Sequence, residues 1–144
     1  MTNNTDSEQL LSAWTQLQKL MLQKASYSRE DKVATMLQFS ALSFLKEKPH
    51  VTNNELAEQL HLSKSSATQL IERLVKNNFV QRKTDPEDRR SVHLAITDLG
   101  QMERENIKKK ILDKVGHVLS LIPVEDRKHL IRIYSNLVEI LKNK

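Results

Sequence analysis

Ser63-Lys64-Ser65-Ser66-Ala67-Thr68-Gln69 and Asp88-Arg89-Arg90 are the two stretches of this sequence whose residue types and spacing could do specific chemistry. In the first, short hydroxyl side chains (Ser65, Ser66, Thr68) allow close approach of another surface. Gln69 offers a donor and an acceptor that match the edge of adenine, and Lys64 can reach a phosphate or a guanine. One turn further, Arg73 and Lys76 suit phosphate contacts. In the second stretch, Arg89 and Arg90 put guanidinium groups in a polar loop, and a narrow minor groove attracts arginine through its enhanced negative potential. Asp88 is ill suited to meet phosphate, so its expected part is to orient an arginine through a charge-assisted hydrogen bond. Double-stranded DNA is the partner that uses both stretches. The competing reading is a surface helix and a charged hairpin that are merely solvated, on a module that contacts other proteins.

Those side chains need particular elements to hold them. Residues 8–25 place Leu10, Leu11, Trp14, Leu17, Leu20 and Met21 on one stripe, which predicts an amphipathic helix. A second helix is expected over residues 32–46, with Met36, Leu37, Phe39, Leu42 and Leu45 apolar, before Pro49. Thr52-Asn53-Asn54-Glu55 has the form of a capping box opening a third helix. His61-Leu62 then forms a turn, and Ser63 caps a fourth helix running to about Asn77, with Ala67, Leu70, Ile71 and Leu74 facing inward. Two capped helices joined by a tight turn make a helix-turn-helix, whose second helix enters the major groove.

After Asn77-Asn78 the apolar period changes to two. Residues 79–83 and 92–96 read as strands, joined by the polar loop over residues 84–91 that carries the arginines. Thr97 caps a long helix to about Leu121, and Pro123 begins a last one to about Leu141. The predicted fold is mainly α with a small β-hairpin wing, in the order α-α-α-α-β-β-α-α. It forms one domain over residues 1–144, with a winged lobe at about 32–96 and helical segments at about 6–25 and 98–142. Apolar stripes on those segments exceed what the lobe could cover. Leu10, Trp14, Leu17, Leu119, Leu130, Tyr134, Leu137 and Leu141 are therefore expected to pack against a second copy, giving a homodimer.

Charge and composition narrow the function further. Residues 63–92 carry seven Lys and Arg against four Asp and Glu, whereas residues 1–62 carry six against seven, so the basic excess lies where the DNA chemistry lies. The sequence contains no cysteine, which excludes disulfides, thiolate zinc sites and thiol redox sensing. His50, His61, His93, His117 and His129 form no pair at i+3 or i+4, so no metal site is expected. No phosphate loop, nucleophile–base pair or paired carboxylates stand out, so neither catalysis nor a cofactor is expected. Lys108-Lys109-Lys110 reads as a solvated helix face. The polar N-terminus is no secretory signal and no segment is apolar enough to span a bilayer, so a cytoplasmic location away from membranes is expected.

With these residues set out, the sequence resembles the MarR family (multiple antibiotic resistance regulators). The resemblance rests on Gln38-Phe39, Asn54-Glu55-Leu56-Ala57, Leu62-Ser63, Leu74, Val80, Arg82, Asp85-Pro86-Glu87-Asp88-Arg89-Arg90 and Ile96-Thr97-Asp98-Leu99-Gly100, and covers about residues 30–105. It implies a homodimeric repressor of transcription on a pseudo-palindromic site, with Arg90 in the minor groove and Asp88 supporting it. It also implies a small-molecule effector held in a cleft between helices and DNA lobe, for which Leu17, Met21, Met36, Gln38 and Phe39 are the candidate lining. Lack of cysteine sets the chain apart from the thiol-based, peroxide-sensing branch. Asn78 stands where the family usually has Gly, and Asn tolerates the left-handed conformation such a turn needs.

Overall fold

The computed structural model describes residues 4–23, 29–88 and 90–143. In chain order the elements are α1 (Asn4–Gln23), α2 (Arg29–Glu47), α3 (Asn53–Gln59), α4 (Lys64–Lys76), β1 (Val80–Thr84), β2 (Val92–Ile96), α5 (Asp98–Ser120) and α6 (Val124–Lys142). This is the expected order, with α1 and α2 each beginning earlier than the apolar stripe alone suggested.

The caps form as the residue types require. Thr52 accepts the Glu55 N–H while the Glu55 carboxylate accepts the Thr52 N–H, closing the capping box. Ser63 accepts the Ser66 N–H, and Thr97 accepts the Gly100 N–H. Both helices of the helix-turn-helix end in the same way. After α3, the N–H groups of His61 and Leu62 reach the carbonyls of Glu58 and Ala57. After α4, those of Asn78 and Phe79 reach Val75 and Leu74. This is the Schellman pattern, and it puts His61 (φ 51°) and Asn78 (φ 59°) in the left-handed region usually given to glycine. Because Phe79 belongs to that closure, β1 starts at Val80, one residue later than the periodicity suggested.

β1 and β2 pair antiparallel with Val80 opposite Ile96 and Thr84 opposite Val92. A third segment joins them: the Leu94 N–H donates to the Val51 carbonyl at 2.7 Å, an isolated bridge from the loop after α2. Leu42, Val51, Leu56, Ile71, Leu74 and Leu94 are fully buried, so the core lies where α2, α3, α4 and the hairpin converge. Val92, two residues before Leu94 and so on the same face of β2, is 44% exposed because the hairpin has by then left the core.

Thr97 and Gly100 fix where α5 departs. The Thr97 hydroxyl donates to the Asn78 carbonyl at 2.6 Å, and a Cβ at Gly100 would lie 2.0 Å from the Phe79 carbonyl oxygen. Only a residue without a side chain lets α5 lie this close to the turn after α4. Farther along, α5 packs on α2: Gln38 Nε2 donates to Glu103 (3.4 Å), and the Arg104 guanidinium sits 5.4 Å from the centre of the Phe39 ring and donates to Ser43 (3.0 Å).

Beyond that seam the helices cover little of their own apolar surface. No residue of α6 is buried. Trp14 is 51% exposed, Leu112 58% and Leu137 49%. Among the described residues, no helix is long and apolar enough to cross a membrane.

Candidate nucleic-acid interface

The inward stripe of α4 is Ala67, Leu70, Ile71 and Leu74, all buried. Burying that stripe turns Lys64, Ser65, Ser66, Thr68, Gln69, Arg73 and Lys76 outward, and each is exposed. The short hydroxyls are not idle. Ser63 Oγ meets Ser65 Oγ at 3.2 Å and Ser66 Oγ at 2.9 Å, and the Thr68 hydroxyl donates to the Lys64 carbonyl at 2.8 Å. They close the N-terminal turn of the helix and keep its outer surface low. The long side chains of Lys64, Gln69, Arg73 and Lys76 then stand above a smooth face, with Glu72 the one acid on this helix.

The loop after β1 is ordered by carboxylates that accept backbone N–H groups. Asp85 Oδ1 accepts from Glu87 (2.8 Å) and Asp88 (3.4 Å), and Asp88 Oδ1 accepts from Arg90 (3.0 Å). Backbone bonds from Asp85 N–H to the Ser91 carbonyl and from Ser91 N–H to the Asp88 carbonyl, both 2.9 Å, close the turn. The two N–H groups, Glu87 first, hold the Asp85 carboxyl below its ordinary pKa, with His93 adding a smaller effect. Asp88 was expected to hold an arginine side chain; among the described residues it holds the Arg90 backbone. The guanidinium of Arg90 is thereby left exposed at the tip. Arg89 lies outside the described residues.

Two further charged pairs lie outside the residues assigned to DNA contact. Arg82 and Lys83 are exposed on β1, the strand that leads from α4 to the wing loop, and add to its positive charge. Their signal was the strand alternation, but single charges on a short strand are too common to single out. At the other end of the lobe, Lys48 donates to Glu55 at 2.8 Å. That bond, with the Thr52 N–H and hydroxyl, holds the Glu55 carboxyl down to about 2.

The residues suggested as an effector lining lie in different surroundings, as far as they are described. Gln38 and Phe39 lie in the α2–α5 seam, Leu17 and Met36 are about half exposed, and the side chain of Met21 lies outside the described residues. Two surface depressions flank the α3–α4 turn, between Asn54, His61 and Lys64 and between Phe44, Lys48 and Glu58. The residues expected to meet a second copy are exposed: Leu10, Trp14, Leu17, Leu130, Tyr134, Leu137 and Leu141, with Leu119 half-buried. Among the described residues, no group of three or more His, Asp or Glu is arranged to hold a metal ion.

The sequence profile of the MarR family matches residues 34–92. An organic hydroperoxide resistance transcriptional regulator of Bacillus subtilis (strain 168) is 32% identical over 112 residues, covering 76% of this chain and 74% of that one. The HTH-type transcriptional repressor MdtR of the same organism is 30% identical over 80 residues, 56% of this chain and 52% of its own. Among solved structures, the YusO protein of Bacillus subtilis superposes with a TM-score of 0.72 at 25% identity, over 96% of this chain and 98% of that one.

Proposed function

Because this chain belongs to the MarR family of DNA-binding transcription regulators, we propose that it acts as a homodimeric repressor on a pseudo-palindromic operator. One observation carries the dimer: among the described residues, the apolar faces of α1, the distal half of α5 and α6 stay largely exposed. Leu10, Leu121 and Leu141 are each about 70% exposed, and α6 buries no residue at all. Monomeric proteins rarely leave contiguous apolar surface of this extent in water. Pairing the same faces about a two-fold axis covers them and sets two winged lobes side by side.

In this arrangement α4 of each lobe enters a major groove, with Gln69 and Lys64 at base edges and Arg73 and Lys76 on phosphates. Arg90 enters the flanking minor groove. The repressor MdtR supports the direction of control. Two recognition helices must sit about one helical turn apart, ~34 Å. The α2–α5 seam at Gln38 and Phe39 joins lobe to arm, so a small molecule acting there would change that spacing and release the DNA. A thiol sensor is no part of this reading, because the sequence has no cysteine.

Selection of sites from a random duplex library, followed by titration at two salt concentrations, tests the reading. The expected result is an inverted repeat bound by a dimer, at least ~10³ tighter than scrambled DNA. Gln69→Ala is expected to relax the recovered motif. Recovery of no motif, with weak salt-sensitive binding alone, would replace this reading with a winged-helix module for protein contacts.

A further inference from the structure

His93 stands at the base of the wing, as the second residue of β2, with its side chain only 16% exposed. Its backbone neighbour Leu94 is fully buried and bridged to Val51, so the strand at this point is fixed to the core. The ring itself is held edge-on against His50, with centroids 5.8 Å apart and planes at 88°. Nε2 lies 3.3 Å from Asp85 Oδ2 and 3.1 Å from Ser91 Oγ. Nδ1 is buried and meets no hydrogen-bond partner among the described residues. Every polar contact of this ring is therefore made through one nitrogen, and both run to the wing loop. A buried ring nitrogen without a partner is costly, and a hydrophobic residue would fill this place without that cost. The contact to Asp85 is what the histidine adds.

That contact is the first link of a continuous chain. His93 holds Asp85 by one carboxylate oxygen, and the other oxygen receives the N–H groups of Glu87 and Asp88. Asp88 in turn receives the Arg90 N–H. The rigid end is in the core and the free end is the arginine. We propose that His93 is a positioning residue for Arg90: by holding the Asp85 carboxylate it sets the loop that aims the guanidinium at DNA. This rests on the reading of Arg90 as a minor-groove contact, and the two can fail separately.

The test uses the full chain and its selected operator, with affinities read by fluorescence anisotropy. Four variants are compared with wild type: Arg90→Ala, His93→Phe, His93→Gln, and the pair Arg90→Ala with His93→Phe. Phe keeps the ring against His50 and removes the hydrogen bonds; Gln keeps an N–H donor near the Nε2 position and removes the ring. Arg90→Ala, which changes both lobes of the dimer, is expected to weaken operator binding about 30-fold or more, and His93→Phe about tenfold. The double variant should bind about as Arg90→Ala does, because a mispositioned side chain that is already absent has nothing more to lose. His93→Gln should bind within about twofold of wild type. Thermal melting in parallel confirms that the variants are folded. Should Phe at this position prevent folding, Asp85→Asn reads the same link from its other end and is expected to be likewise non-additive with Arg90→Ala.

Wild-type affinity in a folded His93→Phe, with Arg90→Ala weakened, overturns the inference and leaves the wing contact standing. Losses that multiply in the double variant overturn it too, since His93 would then act independently of Arg90. Wild-type affinity in Arg90→Ala removes the wing contact and the inference with it.

Discussion

The winged lobe and the helical arms are built on opposite plans. In the lobe, each buried apolar residue has neighbours within the chain, and each turn is closed by an identifiable polar bond: Thr52 with Glu55, Ser63 with Ser66, Thr97 with the Asn78 carbonyl, Asp85 with the wing. In the arms there are few such bonds and almost no buried residues, but a long run of exposed Leu, Ile and Val on α5 and α6. A surface specified by polar groups at fixed positions discriminates between partners, because a misplaced donor or acceptor is left unpaired. A surface specified by apolar shape supplies affinity between like faces. The chain assigns the first to recognition and, in the proposed dimer, the second to assembly.

That division can be broken from either side. The largest effect is expected in the arms: Leu130→Glu with Leu137→Glu places charges in the proposed interface and should give monomers by analytical ultracentrifugation. Loss of two-site binding would then lower operator affinity by about 10³. A dimer that persists would refute the assignment of α6. Next is the junction between the regions, where Gly100→Ala forces a methyl group against the Phe79 carbonyl oxygen. Denaturant unfolding should show a loss of about 3 kcal/mol or more. Within the lobe, Arg90→Ala should lower operator affinity by about 1–3 kcal/mol per lobe without altering the dimer, as read by titration and sedimentation together.

The smallest effect concerns acid. Glu55 is held at about 2 from an ordinary 4.5, chiefly by Lys48 and then by Thr52. A carboxyl depressed on folding stabilises the native state above its unfolded pKa and loses that contribution as pH falls through its folded one. Stability should therefore decline between about pH 4.5 and pH 2. Circular dichroism melts across that window should show a shallower decline in Glu55→Gln, and equal slopes would remove Glu55 as a contributor.

Much of the lobe could be read from the sequence because its signals are local. Thr52, Ser63 and Thr97 announce helix starts within three residues, and the change of period after Asn78 announces the hairpin. Asn78 could be placed in the left-handed region from its residue type and position. What stayed hidden depends on residues far apart in the chain. The bridge between Val51 and Leu94 involves one residue pair and leaves no periodic trace. The seam of Gln38 and Phe39 with Glu103 and Arg104 pairs residues that nothing in either helix links. Asp88 was expected to orient an arginine side chain, and its described bond goes to the Arg90 backbone, since a carboxylate two residues before an N–H readily closes a turn. His93 was considered only as a metal ligand, and its bond to Asp85 spans the whole hairpin loop.

The separation of α6 from the wing has a consequence for inheritance. In the proposed dimer, a chain damaged only at Arg90 would keep every apolar residue of its arms and would still pair with an undamaged copy. In a cell making both, most dimers would contain at least one faulty lobe, and the good copies would be drawn into assemblies that grip the operator on one side. Damage to the wing would then behave as dominant, while damage to α6, which strands only its own product, would behave as recessive.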